Sequence, residues 1–209
     1  MVAFAIMTIQ SLVAFLDHFT PCLMSSSPSA KEKRNLARLT KLVTTIIEVA
    51  TRCFTLEEHA LVVDALVFAA QKHKVGNKNG RRNDKITPYL LHCLEVLNFL
   101  IVLGVRDVEI FVAAIIHDTM EDCGATKKEI VARFGMNVYR IVMLLSKHPD
   151  KNLEMFYWYD MKNEPNLFIR VCAIIIKFPD RGHSLRTLRG LDETRKRRIK
   201  DETRREFPE

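Results

Sequence analysis

Paired cysteines are missing from this chain. Cys22, Cys53, Cys93, Cys123 and Cys172 lie far apart with no Cys-x-x-Cys among them. That spacing argues against a disulfide framework or a zinc knuckle, and for reduced thiols in a cytoplasmic protein. Internal repeats, low-complexity tracts and hairpin signals are also lacking. So is a long uninterrupted apolar run. The apolar N-terminus "MVAFAIMTIQSLVAFLDHF" has no basic leader, and Gln10, Asp17 and His18 break it short of the roughly 20 residues a membrane span needs. It reads as an amphipathic helix, or as sequence ahead of a later start at Met24. No other segment could span a membrane.

What remains is ordinary globular material. The 209 residues are 48% hydrophobic and 27% charged, enough for one good core with an appendage. The net charge of +7 favours an anionic partner such as a nucleotide, a nucleic acid or an acidic surface. Nucleic acid is not expected. The basic run "RKRRIKDETRR" mixes its signs and lacks the interleaved aromatics of a single-strand binder.

Apolar residues recur at helical spacing through most of the chain. "SSSPSAKEK" (residues 25–33) reads as a polar linker, followed by helices in "ARLTKLVTTIIEVATRCF" and "LEEHALVVDALVFAAQKH". "KVGNKNGRRNDKITPY" is a loop, closed by Thr87 as N-cap and Pro88 at the first helical position. The helix it opens stops at Gly104. Asp107 then caps a helix that runs through "VEIFVAAIIHDTMED" to Gly124. Thr126 to Glu129 is a capping-box pattern, opening a helix that ends at Gly135. "NVYRIVMLLSK" follows. The β-branched run "LFIRVCAIIIKF" is a buried helix rather than a strand, by its length and its surroundings. The fold expected is an all-α bundle.

One stretch carries chemistry. In "AAIIHDTMEDCGAT", helical spacing lays His117 over Glu121, and Asp118 over both Glu121 and Asp122. Three carboxylates so close repel one another, and acids are disfavoured at a helix C-terminus. A divalent cation would offset them. Further ligands are at hand: His92 one turn into the helix after Pro88, and Asp180 where the last apolar run turns polar. Two imidazoles and two carboxylates form a mixed nitrogen and oxygen set suited to Mn, Fe, Zn or Mg-like ions. Such a site leaves positions open for water and a phosphate oxygen. His73 is read as solvated and not as a ligand.

The order His…His-Asp…Asp on successive helices resembles the HD superfamily of metal-dependent phosphohydrolases. "TPYLLH", "AAIIHDTMEDCGATKKEIVARFGMNV" and "IIIKFPDRGHSLRTL" resemble, more narrowly, the hydrolase domain of the RelA/SpoT homologues, including the single-domain small alarmone hydrolases. The likeness spans roughly Leu56 to Pro208. It implies an α-helical HD phosphohydrolase domain over residues 51–209, preceded by an apolar and linker extension over 1–50. It also implies one Mn²⁺ ion, and hydrolysis of the 3′-pyrophosphate of guanosine 3′,5′-bis(diphosphate), ppGpp, or of pppGpp, to GDP or GTP. By motif, His92, His117, Asp118 and Asp180 would hold the metal. Glu121 and Asp122 would orient and deprotonate water. Arg81, Arg82 and Lys85 would contact the nucleotide, with Lys177 and Arg181 adding phosphate contacts and Ser184 a hydroxyl where relatives carry Asn.

The chain departs from the family pattern in places. The basic loop lacks the usual Gln, Cys93 stands in place of Pro, and "FPDRGHS" replaces "LADRLHN". Pro179 removes a helical hydrogen bond, at a cost of roughly 3 kcal/mol unless the helix kinks. Gly182 loosens the same turn, which carries Asp180. Two rivals follow: hydrolysis of another phosphorylated nucleotide, such as the 2′-phosphate of NADPH, or a degenerate domain that binds nucleotide without turnover.

Overall fold

The structure, a computed structural model, describes residues 27–75, 86–146, 156–188 and 191–206. The apolar N-terminus and the basic loop with Arg81, Arg82 and Lys85 lie outside the described residues. Those described residues form helices only: α1 (Ala30–Cys53), α2 (Leu56–Val75), α3 (Leu90–Val102), α4 (Val108–Ile116), α5 (Thr119–Cys123), α6 (Lys127–Leu145), α7 (Phe156–Asn163), α8 (Leu167–Arg186) and α9 (Glu193–Glu206). None is long and apolar enough to cross a membrane.

Two helices that are apolar on nearly every face occupy the centre, as such helices must. α3 buries Leu90, Leu91, Leu94, Leu97 and Leu100, and α4 buries every residue from Ile110 to Ile116. α2 and the amphipathic helices α1, α6 and α8 surround them. Each turns one apolar stripe inward, such as Leu39, Val43, Ile46 and Ala50 of α1. Fully burying each Leu or Ile contributes about 1.5–3 kcal/mol. Edge-to-face ring pairs lock the layers: Phe54 with Phe111 at 5.0 Å, and Phe68 with Phe134 at 5.5 Å.

Three helix boundaries differ from the sequence expectation, each for a local reason. The polar stretch 25–33 turns helical at Ala30, because Ser29 builds a capping box with Glu32: the Glu32 N–H donates to Ser29 Oγ at 3.2 Å, and the Ser29 N–H donates to Glu32 Oε2 at 2.8 Å. Serine serves linkers and caps alike. α3 starts at Leu90 and not at Pro88. Its first N–H groups, from Leu91 and His92, reach the carbonyls of Pro88 and Tyr89. The Thr87 hydroxyl accepts from Asn35 of α1 at 3.4 Å.

The third difference matters most. The helix capped by Asp107, whose carboxylate accepts the Ile110 N–H at 3.0 Å, does not run on to Gly124. It ends at Ile116, and α5 starts at Thr119. The Thr119 hydroxyl donates to the Ile116 carbonyl at 2.7 Å, a local bond that competes with the helical ladder. His117 and Asp118 sit at this break.

The Thr126–Glu129 capping box forms as read. α6 contains Gly135 at φ 87°, ψ 171°, a non-helical kink within the helix. A Cβ there would meet nothing within 4 Å, so the penalty for another residue is backbone strain and not collision. Gly135→Ala is expected to destabilise the fold by about 1–3 kcal/mol, read as a lowered urea midpoint with an unchanged slope.

α8 is capped by Asn166 and continues without interruption through Pro179 to Arg186. Pro179 is buried and Gly182 has open space around it. The helix therefore absorbs both residues and carries Asp180 in register.

Candidate metal centre

α3 supplies His92 from its first turn, the α4–α5 break supplies His117 and Asp118, and α8 supplies Asp180 from inside its helix. His92 and His117 are 3% and 2% exposed. Together with Asp118 they place one donor atom each within 4.8 Å of the others. His92 Nε2 lies 3.5 Å from Asp118 Oδ2 and 3.1 Å from Asp180 Oδ1. His117 Nε2 lies 3.3 Å from Asp118 Oδ1 and 3.9 Å from Asp180 Oδ1. The structure thus brings all four side chains together. Neighbouring ligands around an octahedral ion with bonds of about 2.1 Å sit about 3.0 Å apart, close to these spacings.

One nitrogen tests whether a cation fits. His117 Nδ1 is 2.9 Å from the Ala114 carbonyl, and in the neutral ring that bond assigns the proton to Nδ1. Nε2 is then left as a lone pair, and it is buried without a hydrogen-bond partner. It faces two carboxylates. A lone pair and two anions facing one another call for a positive charge between them. The donor set accepts a divalent ion.

The electrostatics agree. Burial alone would raise the Asp118 carboxyl, but His117 and His92 outweigh it and hold the group below its ordinary value. Asp180 is driven lower still. Burial opposes its ionisation, and the Lys177 ammonium, 3.4 Å from its Oδ2, together with the two imidazoles, overcomes it. Burial would lower His117, yet Asp118 and Asp180 lift it above the usual imidazole value.

The remaining expected residues are spread around this centre. Asp122, half-buried, and Asp118 both lie within reach of the Tyr89 hydroxyl, whose one proton serves one carboxylate at a time. Burial first, and then these carboxylates, keep the Tyr89 phenol protonated far above its normal range. Glu121 lies on the exposed side of α5. Lys177 and Arg181 are buried at 6% and 8% exposure, with Lys177 turned onto Asp180. Ser184 is half-buried one turn beyond Asp180.

His73 is a correction. It is buried, 3% exposed, and not solvated. Its ring stacks on Tyr89 at 4.8 Å, with Cys123 Sγ 3.1 Å from Nδ1 and Cys93 Sγ 3.8 Å from Nε2. Burial pulls its pKa down to about 4, against a smaller upward pull from Asp118 and Asp122. The folded state therefore keeps it neutral where the unfolded chain, near 6.5, takes up a proton. Stability from this group is complete above pH about 6.5 and is lost as the pH falls toward about 4. Near pH 5 the loss is about 2 kcal/mol. Urea denaturation at about pH 7.5 and about pH 5 is expected to show that loss in the wild type and its reduction in His73→Gln.

Sequence reasoning passed over two further polar residues. His92 Nδ1 lies 2.6 Å from His183 Nδ1, and His183 Nε2 lies 2.6 Å from Glu95 Oε2. Glu95 Oε1 lies 2.5 Å from Arg38 Nε, an ion pair whose angles fall short of a hydrogen bond. The signal was present: Glu95 follows His92 by three positions, and His183 follows Asp180 by three, so each shares a helix face with a candidate ligand.

This fold and donor set define an HD domain, and the HD-domain family profile matches residues 65–153. The guanosine-3′,5′-bis(diphosphate) 3′-pyrophosphohydrolase MESH1 of Xenopus tropicalis is 34% identical over 131 residues, covering 62% of this chain and 70% of that protein. The chain belongs to the hydrolase family of the RelA/SpoT homologues. A GTP pyrophosphokinase rsh of Brucella ovis is 32% identical over 148 residues, 69% of this chain and 19% of that protein. A guanosine-3′,5′-bis(diphosphate) 3′-pyrophosphohydrolase of Vibrio cholerae is 32% identical over 133 residues, 59% of this chain and 18% of that protein. The chain thus spans about a fifth of these long relatives. A solved structure, described as a metazoan orthologue of SpoT that hydrolyses ppGpp and plays a role in starvation responses, superposes with TM-score 0.58 at 23% identity, over 70% of this chain and 83% of that one. That likeness speaks for the fold.

Proposed function

We propose that this chain is a Mn²⁺-dependent (p)ppGpp 3′-pyrophosphohydrolase acting in the cytoplasm, with the HD residues expected over 51–209 and helix α1 ahead of them packed into the same core. The observation that carries the reading is the convergence of His92, His117 and Asp118 donors within 4.8 Å of one another, with Asp180 Oδ1 3.1 Å from His92 Nε2 and His117 Nε2 unpartnered there. The names of the relatives supply the substrate. His92, His117, Asp118 and Asp180 would hold the ion. When bound, it supplies Lewis-acid neutralisation of phosphoryl charge.

The chain's own residues supply the rest. Glu121 and Asp122 orient the attacking water and accept its proton as the new oxygen–phosphorus bond forms. Pyrophosphate departs from the ribose 3′ oxygen, which takes up a proton and is left as a hydroxyl. The Tyr89 hydroxyl stands between Asp122 and Asp118 with a single proton to donate to one or the other. Lys177 keeps Asp180 ionised and turned toward the centre. Arg81, Arg82 and Lys85 would meet the nucleotide, because guanidinium forks suit planar and phosphate partners. Arg181 would add a phosphate contact, and Ser184 would offer a hydroxyl in the position of a longer amide.

Purified protein assayed with Mn²⁺ against ppGpp, NADPH and deoxynucleoside triphosphates, beside the Asp118→Ala variant, tests this. Turnover of ppGpp well above the variant is the expected result. Preference for NADPH or a deoxynucleotide would move the site to another nucleotide phosphohydrolase activity. No retained Mn and no rate above the variant would leave a nucleotide-binding domain without catalysis.

A further inference from the structure

We infer that His183 and Glu95 are positioning residues for the ligand His92, and that Arg38 extends this support to helix α1, ahead of the residues matched by the HD family. The inference rests on the metal-site reading above. Its basis is a continuous line of short contacts: Arg38 to Glu95 at 2.5 Å, Glu95 to His183 at 2.6 Å, and His183 to His92 at 2.6 Å. The line joins α1, α3 and α8. It ends on a ring whose Nε2 faces Asp118 and Asp180.

The proton placement follows from the contacts. Two imidazole nitrogens facing each other at 2.6 Å need one proton between them, so one Nδ1 donates and the other accepts. Glu95 is acceptor-only when ionised, and His183 Nε2 must therefore be its donor. A neutral His183 with its proton on Nε2 has a lone pair on Nδ1. His92 must then donate from Nδ1, which leaves its Nε2 as a lone pair turned on the centre. Among arrangements with both rings neutral and the carboxylate ionised, this one satisfies the two contacts of His183, and it leaves the His92 Nε2 lone pair 3.1 Å from Asp180 Oδ1, a pairing that a cation between them would relieve. It is also the tautomer a metal ligand needs. Outer partners that take the second ring proton of a ligating histidine tune its basicity and orientation, and losing such a partner typically weakens metal binding 10- to 100-fold; here an imidazole backed by Glu95 fills that place.

The line also has an open end. Glu95 and His183 line a cleft of about 620 Å³ between α1, α3 and α8, with Arg38, Lys41, Phe99 and Phe178 along its walls. A small molecule can enter there without passing the metal centre, and this makes the role separable from mere packing.

The test titrates metal-free full-length protein with MnCl₂, following free Mn²⁺ by electron paramagnetic resonance and the metal-free melting temperature by calorimetry. His183→Gly is expected to bind Mn²⁺ about 10- to 100-fold more weakly than wild type. Added imidazole should restore much of that affinity, and His183→Asn, whose amide oxygen can stand near the lost Nδ1, should restore part of it without imidazole. Glu95→Gln should lose less than His183→Gly, because its amide oxygen still accepts but brings no charge. Imidazole should leave wild type and Asp118→Ala unchanged.

Wild-type affinity in His183→Gly would overturn the inference. So would a loss that neither imidazole nor His183→Asn recovers, accompanied by a lowered metal-free melting temperature, since that pattern belongs to packing. If wild type itself binds no Mn²⁺, the metal-site reading falls first and takes this inference with it.

Discussion

Asp118→Ala is expected to retain no Mn²⁺ after gel filtration and to hydrolyse nucleotide at least about 10³-fold more slowly than wild type. The size follows from where the carboxylate stands. It is the anion facing both imidazoles, 3.3 Å from His117 and 3.5 Å from His92, and its acidity is enhanced by both of them. Removing it leaves two nitrogens and Asp180, and Asp180 is already shared with Lys177. The core has no stake in this side chain. The last turn of α4 is held by Ile110 to Ile116, all buried. The metal-free melting temperature should therefore move little while metal content and rate collapse. A variant within tenfold of the wild-type rate would remove Asp118 from the ligand set.

The second large effect concerns Glu121 and Asp122. Glu121→Gln and Asp122→Asn keep the shape of each side chain and remove its ability to take a proton. If one of them is the base, its amide variant should lower kcat by about 10²- to 10⁴-fold, with Mn²⁺ affinity within a few-fold of wild type. The two positions should not respond alike. Asp122 is half-buried and within reach of the Tyr89 hydroxyl, whereas Glu121 stands on the exposed side of α5. A change at Asp122 would also reach Asp118, because the two carboxylates compete for the single Tyr89 hydroxyl proton. The discriminating measurement is kcat beside metal affinity: a fall in both marks a positioning role, and a fall in kcat alone marks the proton acceptor.

Helices were legible in the sequence where a stripe of apolar residues met a cap. Asp107, Thr126 and the apolar runs of α3, α4 and α8 behave as their spacing implies. Boundaries were lost where one residue type serves two purposes. Ser29 reads as linker by composition and acts as a cap by its bonds with Glu32. The break at His117–Asp118 was hidden because it is slight: both residues keep right-handed helical backbone, with Asp118 loosened to φ −90°, ψ −3°, and no breaker residue marks the place. Helical spacing had stacked His117 over Glu121. The break instead lets two consecutive residues both turn to the centre.

The candidate donors stood out because imidazoles and carboxylates interrupt apolar helical runs at His92, at His117–Asp118 and at Asp180. His73 misled, since its burial comes from Tyr89, Cys93 and Cys123, partners supplied by separate segments. Glu95 and His183 were in view as helix-face neighbours of His92 and Asp180. Their contact with each other crosses between α3 and α8, and no one-dimensional pattern reports such a crossing.

The four donors come from three stretches of chain far apart in order, at His92, at His117–Asp118 and at Asp180. An ion seated among them would act as a clasp on the whole bundle, because letting go of it frees three strands of the knot at once. Chelation would then loosen amide protection in α3, at the end of α4 and in α8 together. The lifetime of the folded protein would follow the metal supply around it, on top of any effect on its chemistry.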